Sequence, residues 1–175
     1  MVDGLSRQLA VGIKKVVPES PQSVEVLKYS ISFILNTLFI IGFSLLISLF
    51  TGKVNEVIIV LIGYAILRQV SGGVHLKSGT LCIIVSTAGA TALSFVSFNS
   101  MILLLVTALP LLLALVFAPS RIEKQTRIPA KYYPLLKLAS LAIIASNLVI
   151  QSDVLAAAFL LQTLTLIRGR EVEGE

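Results

Sequence analysis

The sequence predicts an all-α protein, a polytopic transmembrane helical bundle of six spans with both termini in the cytosol. Three observations lead there. Of 175 residues, 56% are apolar and 13% are charged, about half the charge of a soluble domain. Charge is missing over long stretches, from Tyr29 to Gly52 and from Ser78 to Ser120. The basic residues that remain fall almost entirely on one side of the membrane once six spans are drawn. A soluble globule with this mean hydropathy of +0.96 would expose large apolar patches, which excludes an ordinary soluble enzyme or a nucleic-acid binder. One Cys and one His leave no intramolecular disulfide and cannot build a four-ligand zinc site, so neither a metal nor another cofactor is expected.

Residues 1–28 carry seven charges. Val2, Leu5, Leu9, Ile13, Val16 and Val17 recur at helical spacing, with Arg7, Lys14 and Lys15 on other faces, until Pro18 and Pro21 end the pattern. The expectation is a cytosolic amphipathic segment. It either lies on the membrane surface or packs as a cap helix on the loops. No small-residue cleavage site follows a short apolar core, so no cleavable leader is expected. Tyr29–Gly52 is the first span. Lys53 and Glu56 mark a tight outer loop. Val57–Leu67 has only 11 apolar residues, about half the hydrocarbon thickness at 1.5 Å per residue, so the second span has to borrow Arg68 and Gln69. The 43 uncharged residues of Ser78–Ser120 suit two spans that turn at Ser97-Phe98-Asn99-Ser100. A basic loop, 121–137, contains Pro129 and Pro134. Leu138–Ser152 and Val154–Ile167 form a last hairpin around Asp153. The membrane domain is thus 29–167, and 168–175 is a cytosolic tail.

The inner segments of this arrangement are 1–28, 68–77, 121–137 and 168–175. They hold 13 of the 14 Lys and Arg residues, and Lys53 alone lies outside. This is the distribution that the positive-inside rule requires. A five-span chain would place Arg168 and Arg170 outside.

Chemistry concentrates in the inner segment 68–82, Arg-Gln-Val-Ser-Gly-Gly-Val-His-Leu-Lys-Ser-Gly-Thr-Leu-Cys. It contains the one His and the one Cys, seven residues apart. A thiol near neutral pH needs a base or a cation to become a nucleophile, and an imidazole within hydrogen-bond reach supplies both. On a straight helix His75 and Cys82 would be ~10 Å apart, so contact requires a bend, and Ser78-Gly79 is placed to give it. Gly72-Gly73 allows a second sharp turn. Arg68 is a candidate for stabilising a thiolate or an oxyanion; its bland role is to snorkel from a short helix. Taken singly, a Cys at the start of an apolar helix and a His near an interface are ordinary packing and capping residues. Their gathering in one short inner loop is what singles the segment out.

The pattern Arg68, Gly73, His75 and Cys82, followed by an apolar span, resembles the accessory gene regulator B (AgrB) family of membrane cysteine endopeptidases. Phe117-Ala118-Pro119, then Lys124, Arg127, Pro129 and Lys131-Tyr132-Tyr133, is similar to the family's entry into a Lys- and Pro-rich loop. The resemblance covers most of the chain. It implies a multi-pass protein of the bacterial plasma membrane, with its active site on the cytosolic side. It also implies cleavage of a small quorum-sensing precursor peptide of the AgrD type, with Cys82 and His75 as the catalytic pair. Attack by Cys82 on the scissile carbonyl would leave an acyl-enzyme thioester, which a thiol or hydroxyl within the peptide could displace to give a cyclic thiolactone or lactone. In the basic loop, Lys124, Arg127 and Lys131 either serve only orientation and attraction to anionic lipid or also bind an acidic tail of the precursor. Membrane lipid is the other expected partner, nucleic acid is not one, and a homodimer is one assembly the chain allows.

The competing reading is a small helical transporter or membrane adaptor. Transporters place ionisable groups within their spans, whereas here Asn36, Asn147 and Gln162 are the polar features there. A serine nucleophile at Ser71 or Ser78 lacks a supporting pattern.

Overall fold

The computed structural model describes residues 2–19, 21–73, 78–120, 122 and 128–167. The described residues are helical, apart from connections and a single isolated bridge. They fall into two compact units. One comprises residues 1–52 and 75–91, the other 53–74 and 92–175.

In the first unit, α1 (Val2–Val16) packs against α2 (Val24–Thr51). Ser23 caps α2, accepting a hydrogen bond from the Val26 N–H at 3.3 Å, and Gly52 ends it in the left-handed conformation, φ 70°. The face of α1 turned inward is Val2, Ser6 and Ala10, and Ser32 Oγ donates to Ser6 Oγ at 2.7 Å. The apolar stripe is divided by this choice. Val2 is buried, while Leu5, Leu9, Ile13, Val16 and Val17 face outward, Val16 with 82% of its surface exposed. Small residues win the packing face because they let two helix backbones approach closely. The larger apolar side chains are left for another apolar medium. Helix α2 is inverted in the same sense, with Ser44 and Ser48 inside and Leu49 and Phe50 outside. It begins five residues before the uncharged stretch, and its 28 residues extend ~42 Å. The remaining helix of this unit, α4 (Gly79–Leu93), has 15 residues, or ~22 Å.

The second unit is built around its last helix. Helices α3 (Val54–Ser71), α5 (Ser100–Phe117), α6 (Tyr133–Ala145) and α7 (Asn147–Ile150) precede α8 (Asp153–Leu164), which packs on α3 and α5. All six residues from Val154 to Phe159 are buried. Gly63 makes the close approach possible, since a Cβ there would collide with Leu155. A core of Leu67, Ala114, Ala118, Ile144, Leu155, Phe159 and Leu166 surrounds it. Asn99 begins α5, its Oδ1 accepting from the Ile102 N–H at 2.9 Å, so the expected turn at 97–100 is present. The turn expected around Asp153 is also present, but α8 packs on α3 and α5 instead of folding back on α6. Gln151 adopts a left-handed conformation, φ 55°, and Ser152 caps α8. Asn147 closes the turn: Nδ2 donates to Ser152 O and to Thr107 Oγ1, while Oδ1 accepts from Ser152 N.

Among the described residues, four segments are long and apolar enough to cross a membrane: Val24–Thr51, Val54–Ser71, Ser100–Phe117 and Ala130–Ile150. Gly79–Leu93 and Asp153–Leu164 are apolar but shorter. The second span borrows polar residues as expected. Helix α3 runs 18 residues, through Arg68 and Gln69 to Ser71, and polar partners inside the unit receive its C-terminal end, so it is longer than its apolar run of 57–67. The short members are instead α4 and α8.

Candidate functional site

Cys82 lies in the first turn of α4. Its N–H donates to Ser78 O at 2.9 Å, and Ser78 Oγ accepts from the Leu81 N–H at 3.4 Å. Helix α4 therefore starts at Gly79, with Ser78 just before it outside the helix. The thiol is half-buried, and its Sγ stands 3.9 Å from Ser86 Oγ, one turn along. The thiol thus meets the following turn of α4, and the turn before it begins at Gly79. Asn36 of α2 closes against that turn. A Cβ on Gly79 would stand 2.9 Å from Asn36 Nδ2 and 3.0 Å from Oδ1. Asn36 Oδ1 is buried with no hydrogen-bond partner. His75 lies outside the described residues, as do Lys124 and Arg127.

The other end of the predicted catalytic segment belongs to the second unit and is held in detail. Gly72 and Gly73 both have positive φ, 75° and 123°, which is the freedom that glycine supplies. They run beside Ser120, just beyond α5. Gly73 N donates to Ser120 O at 3.0 Å, and Ser120 N donates to Ser71 O at 2.9 Å. A Cβ at Gly72 would strike the Ser120 carbonyl. On another side stands Gln162 of α8, with no exposed surface. Its Nε2 donates to Gly72 O at 2.7 Å and to Ser71 Oγ at 3.0 Å. Its Oε1 accepts from Arg68 Nη1 and from Thr165 Oγ1, each at 3.4 Å. Arg68 also donates from Nη1 to Tyr64 OH at 3.4 Å, and its guanidinium carbon lies 6.0 Å from the Tyr64 ring centroid. Lys131 lies 5.0 Å from the Tyr132 ring centroid, a cation–π distance.

Arg68, Gly72 and Gly73 are thus gathered into one network. Its central member, Gln162, was visible in the sequence only as an amide within an apolar helix, which is itself a signal. Ser120 and Thr165 gave no signal, because their contribution depends on the meeting of segments distant in the chain. Asn36 was noted as a polar residue of a span, and its neighbour on α4 was not legible.

No solved structure matches this chain. A protein of Halalkalibacterium halodurans described as AgrB-like is 31% identical over 98 residues, which make up 56% of this chain and 50% of the relative. The match therefore spans about half the length of that curated relative. The family model for accessory gene regulator B matches residues 6–167, an interval that takes in most of α1 and of both units, the glycine turn and Cys82. The chain belongs to the accessory gene regulator B family.

Proposed function

We propose that this protein is a membrane cysteine endopeptidase that processes an AgrD-type quorum-sensing precursor. Family membership fits a role in processing the quorum-sensing peptide. The observation that carries the finer reading is the position of Cys82, the one cysteine of the chain, in the first turn of a short apolar helix seven residues after the one histidine. His75 takes the thiol proton, and the thiolate attacks the scissile carbonyl. The proton then goes to the leaving amine as the tetrahedral intermediate collapses, leaving a thioester on Cys82. A thiol or hydroxyl of the peptide displaces Cys82 to close a thiolactone or lactone, and His75 carries the proton from that nucleophile back to the departing thiolate. Exchange of one thioester for another is nearly neutral in energy, whereas hydrolysis is downhill, so the reaction profits from a site with little water. Helix α4 supports that condition. It covers ~22 Å of a hydrocarbon core ~30 Å thick, so with its far end at one surface its first turn ends below the other.

In this reading the chain has six spans, with both termini and the segment 68–82 on the cytosolic side. Arg68 acts as a cation for the thiolate or the oxyanion. The outward stripe of α1 contacts lipid at the inner surface. Lys124, Arg127 and Lys131 attract an acidic tail of the precursor. The activity is tested by co-expressing the chain with its cognate precursor. Cys82→Ala and His75→Ala should each abolish cleavage, by a factor of 100 or more on the scale of lost nucleophile or base, while the variants still insert into the membrane. Processing at the wild-type level by Cys82→Ala would reject the mechanism.

A further inference from the structure

We infer that Asn36 binds the main chain of the peptide substrate beside the bond that Cys82 attacks. The inference rests on the peptidase reading above and adds a residue that the motif does not contain. Asn36, Gly79 and Cys82 belong to the same compact unit.

The polar end of the Asn36 carboxamide is turned toward the first turn of α4. A Cβ on Gly79 would lie 2.9 Å from Nδ2, 3.0 Å from Oδ1 and 3.4 Å from Cγ, so the two polar atoms are nearer than the carbon that carries them. Residues three apart on a helix share a face, and Gly79 and Cys82 stand in that relation on α4. Asn36 therefore meets α4 on the side that carries the thiol. The rise from Gly79 to Cys82 is ~4.5 Å, which an extended peptide covers in about one to two residues. A substrate laid along this face, with its scissile carbonyl at the thiol, brings a neighbouring peptide group to Asn36.

The state of the amide is what points to a ligand. Asn36, Asn147 and Gln162 are the three amides of the apolar segments, and two of them are used at both ends. Asn147 donates to Thr107 and Ser152 and accepts from Ser152. Gln162 donates to Ser71 and Gly72 and accepts from Arg68 and Thr165. Asn36 Oδ1 is buried with no hydrogen-bond partner. It has given up water and received nothing in return, which folded proteins avoid unless the atom has another use. The residue as a whole is half-buried, so rotation about Cβ–Cγ carries the oxygen to the open side, where an incoming N–H meets it. A peptide group offers one donor and one acceptor, and a carboxamide answers both. Depth adds to the value of the pair. Asn36 stands eight residues beyond Lys28, the last charge of α2, or ~12 Å of helix. A peptide backbone that enters hydrocarbon finds no water there to bond.

The test is a cycle between the protein and the substrate backbone. Full-length wild type and Asn36→Leu, in lipid vesicles, receive a synthetic cognate precursor. They also receive analogues in which one peptide N–H, within about two residues of the scissile bond but not in it, is replaced by an ester oxygen. Leucine has the shape of asparagine and no polar atom. On the all-amide peptide, Asn36→Leu should lower kcat/KM at least about tenfold. One of the esters should cost the wild type a similar factor, and the same ester should cost Asn36→Leu less than about twofold, because its partner is already gone. Since Oδ1 has no partner to lose, the variant should unfold at a midpoint no lower than the wild type. Its Cys82, the one thiol, should be alkylated by iodoacetamide at the wild-type rate. An amide that only spaces α2 from α4 gives the opposite pattern: a lower midpoint, and every ester costing both proteins the same factor. Equal ester costs overturn the assignment. If Asn36→Leu does not accumulate, Asn36→Ala takes its place under the same two outcomes. Failure of the peptidase reading is distinct, since the wild type would then leave the all-amide precursor intact or Cys82→Ala would cleave it as fast.

Discussion

Gly72 combines φ 75° with ψ −141°, a region essentially reserved for glycine that costs other residues about 1–3 kcal/mol. A Cβ there would also strike the Ser120 carbonyl. Gly72→Ala should therefore loosen the turn from α5. The expected outcome is a loss of precursor cleavage of about tenfold or more, from a strain of that size acting on the turn, with expression retained. A time course of product formation checks it, and wild-type rates would show that the turn tolerates displacement. At this scale the sequence was partly legible. Paired glycines announce a sharp turn, and the predicted turn exists. The partners that make it specific, Ser120 and Gln162, lie 48 and 90 residues further along. No local pattern encodes a carbonyl that meets them.

Among the elements, the helices bounded by polar caps were legible. Asn99 before α5 and the break before Asp153 stand where charge-free runs are interrupted. So was the extension of α3 beyond its apolar run at Leu67 through Arg68 and Gln69, though the partners that receive it were not. The helix continues because Arg68 finds Tyr64 and Gln162 inside the unit. The depth of α8 was not legible. Lipid is as apolar as a protein core, so hydropathy does not separate a helix wrapped by protein from one facing lipid. The run Ala156-Ala157-Ala158, all buried, was the usable clue, because small side chains admit close neighbours. The α7–α8 turn supplies a prediction of its own. Asn147 is 1% exposed and bonds to both backbone groups of Ser152 and to Thr107. Asn147→Ala would leave these groups unpaired, at about 1–3 kcal/mol for each buried group that stays dry. Thermal unfolding of the detergent-solubilised protein should show a midpoint lowered by several degrees. An unchanged midpoint would mean that the turn is held by packing alone.

For the whole molecule, composition already gave an all-helical membrane protein, and the described residues contain four helices of spanning size with two shorter apolar ones. Charge placement gives an expected topology, and it can be measured. In a Cys82→Ala background, a single cysteine at Asn99 should react with a membrane-impermeant maleimide in intact cells. A cysteine at Arg168 should react only after permeabilisation. The reverse pattern would overturn the six-span arrangement with cytosolic termini.

The order in which the ribosome delivers these parts bears on how the turn matures. Gly72 emerges 90 residues before the amide that grips it, an interval on the order of ten seconds at ordinary rates of synthesis. Ser120 arrives partway through, so the turn acquires its backbone neighbour first and its side-chain clasp later. Until Gln162 joins the bundle, the Gly72 carbonyl and the Arg68 guanidinium must find other company, such as water or lipid headgroups. Completion of the glycine turn is therefore a late event in biogenesis, timed by the arrival of α8.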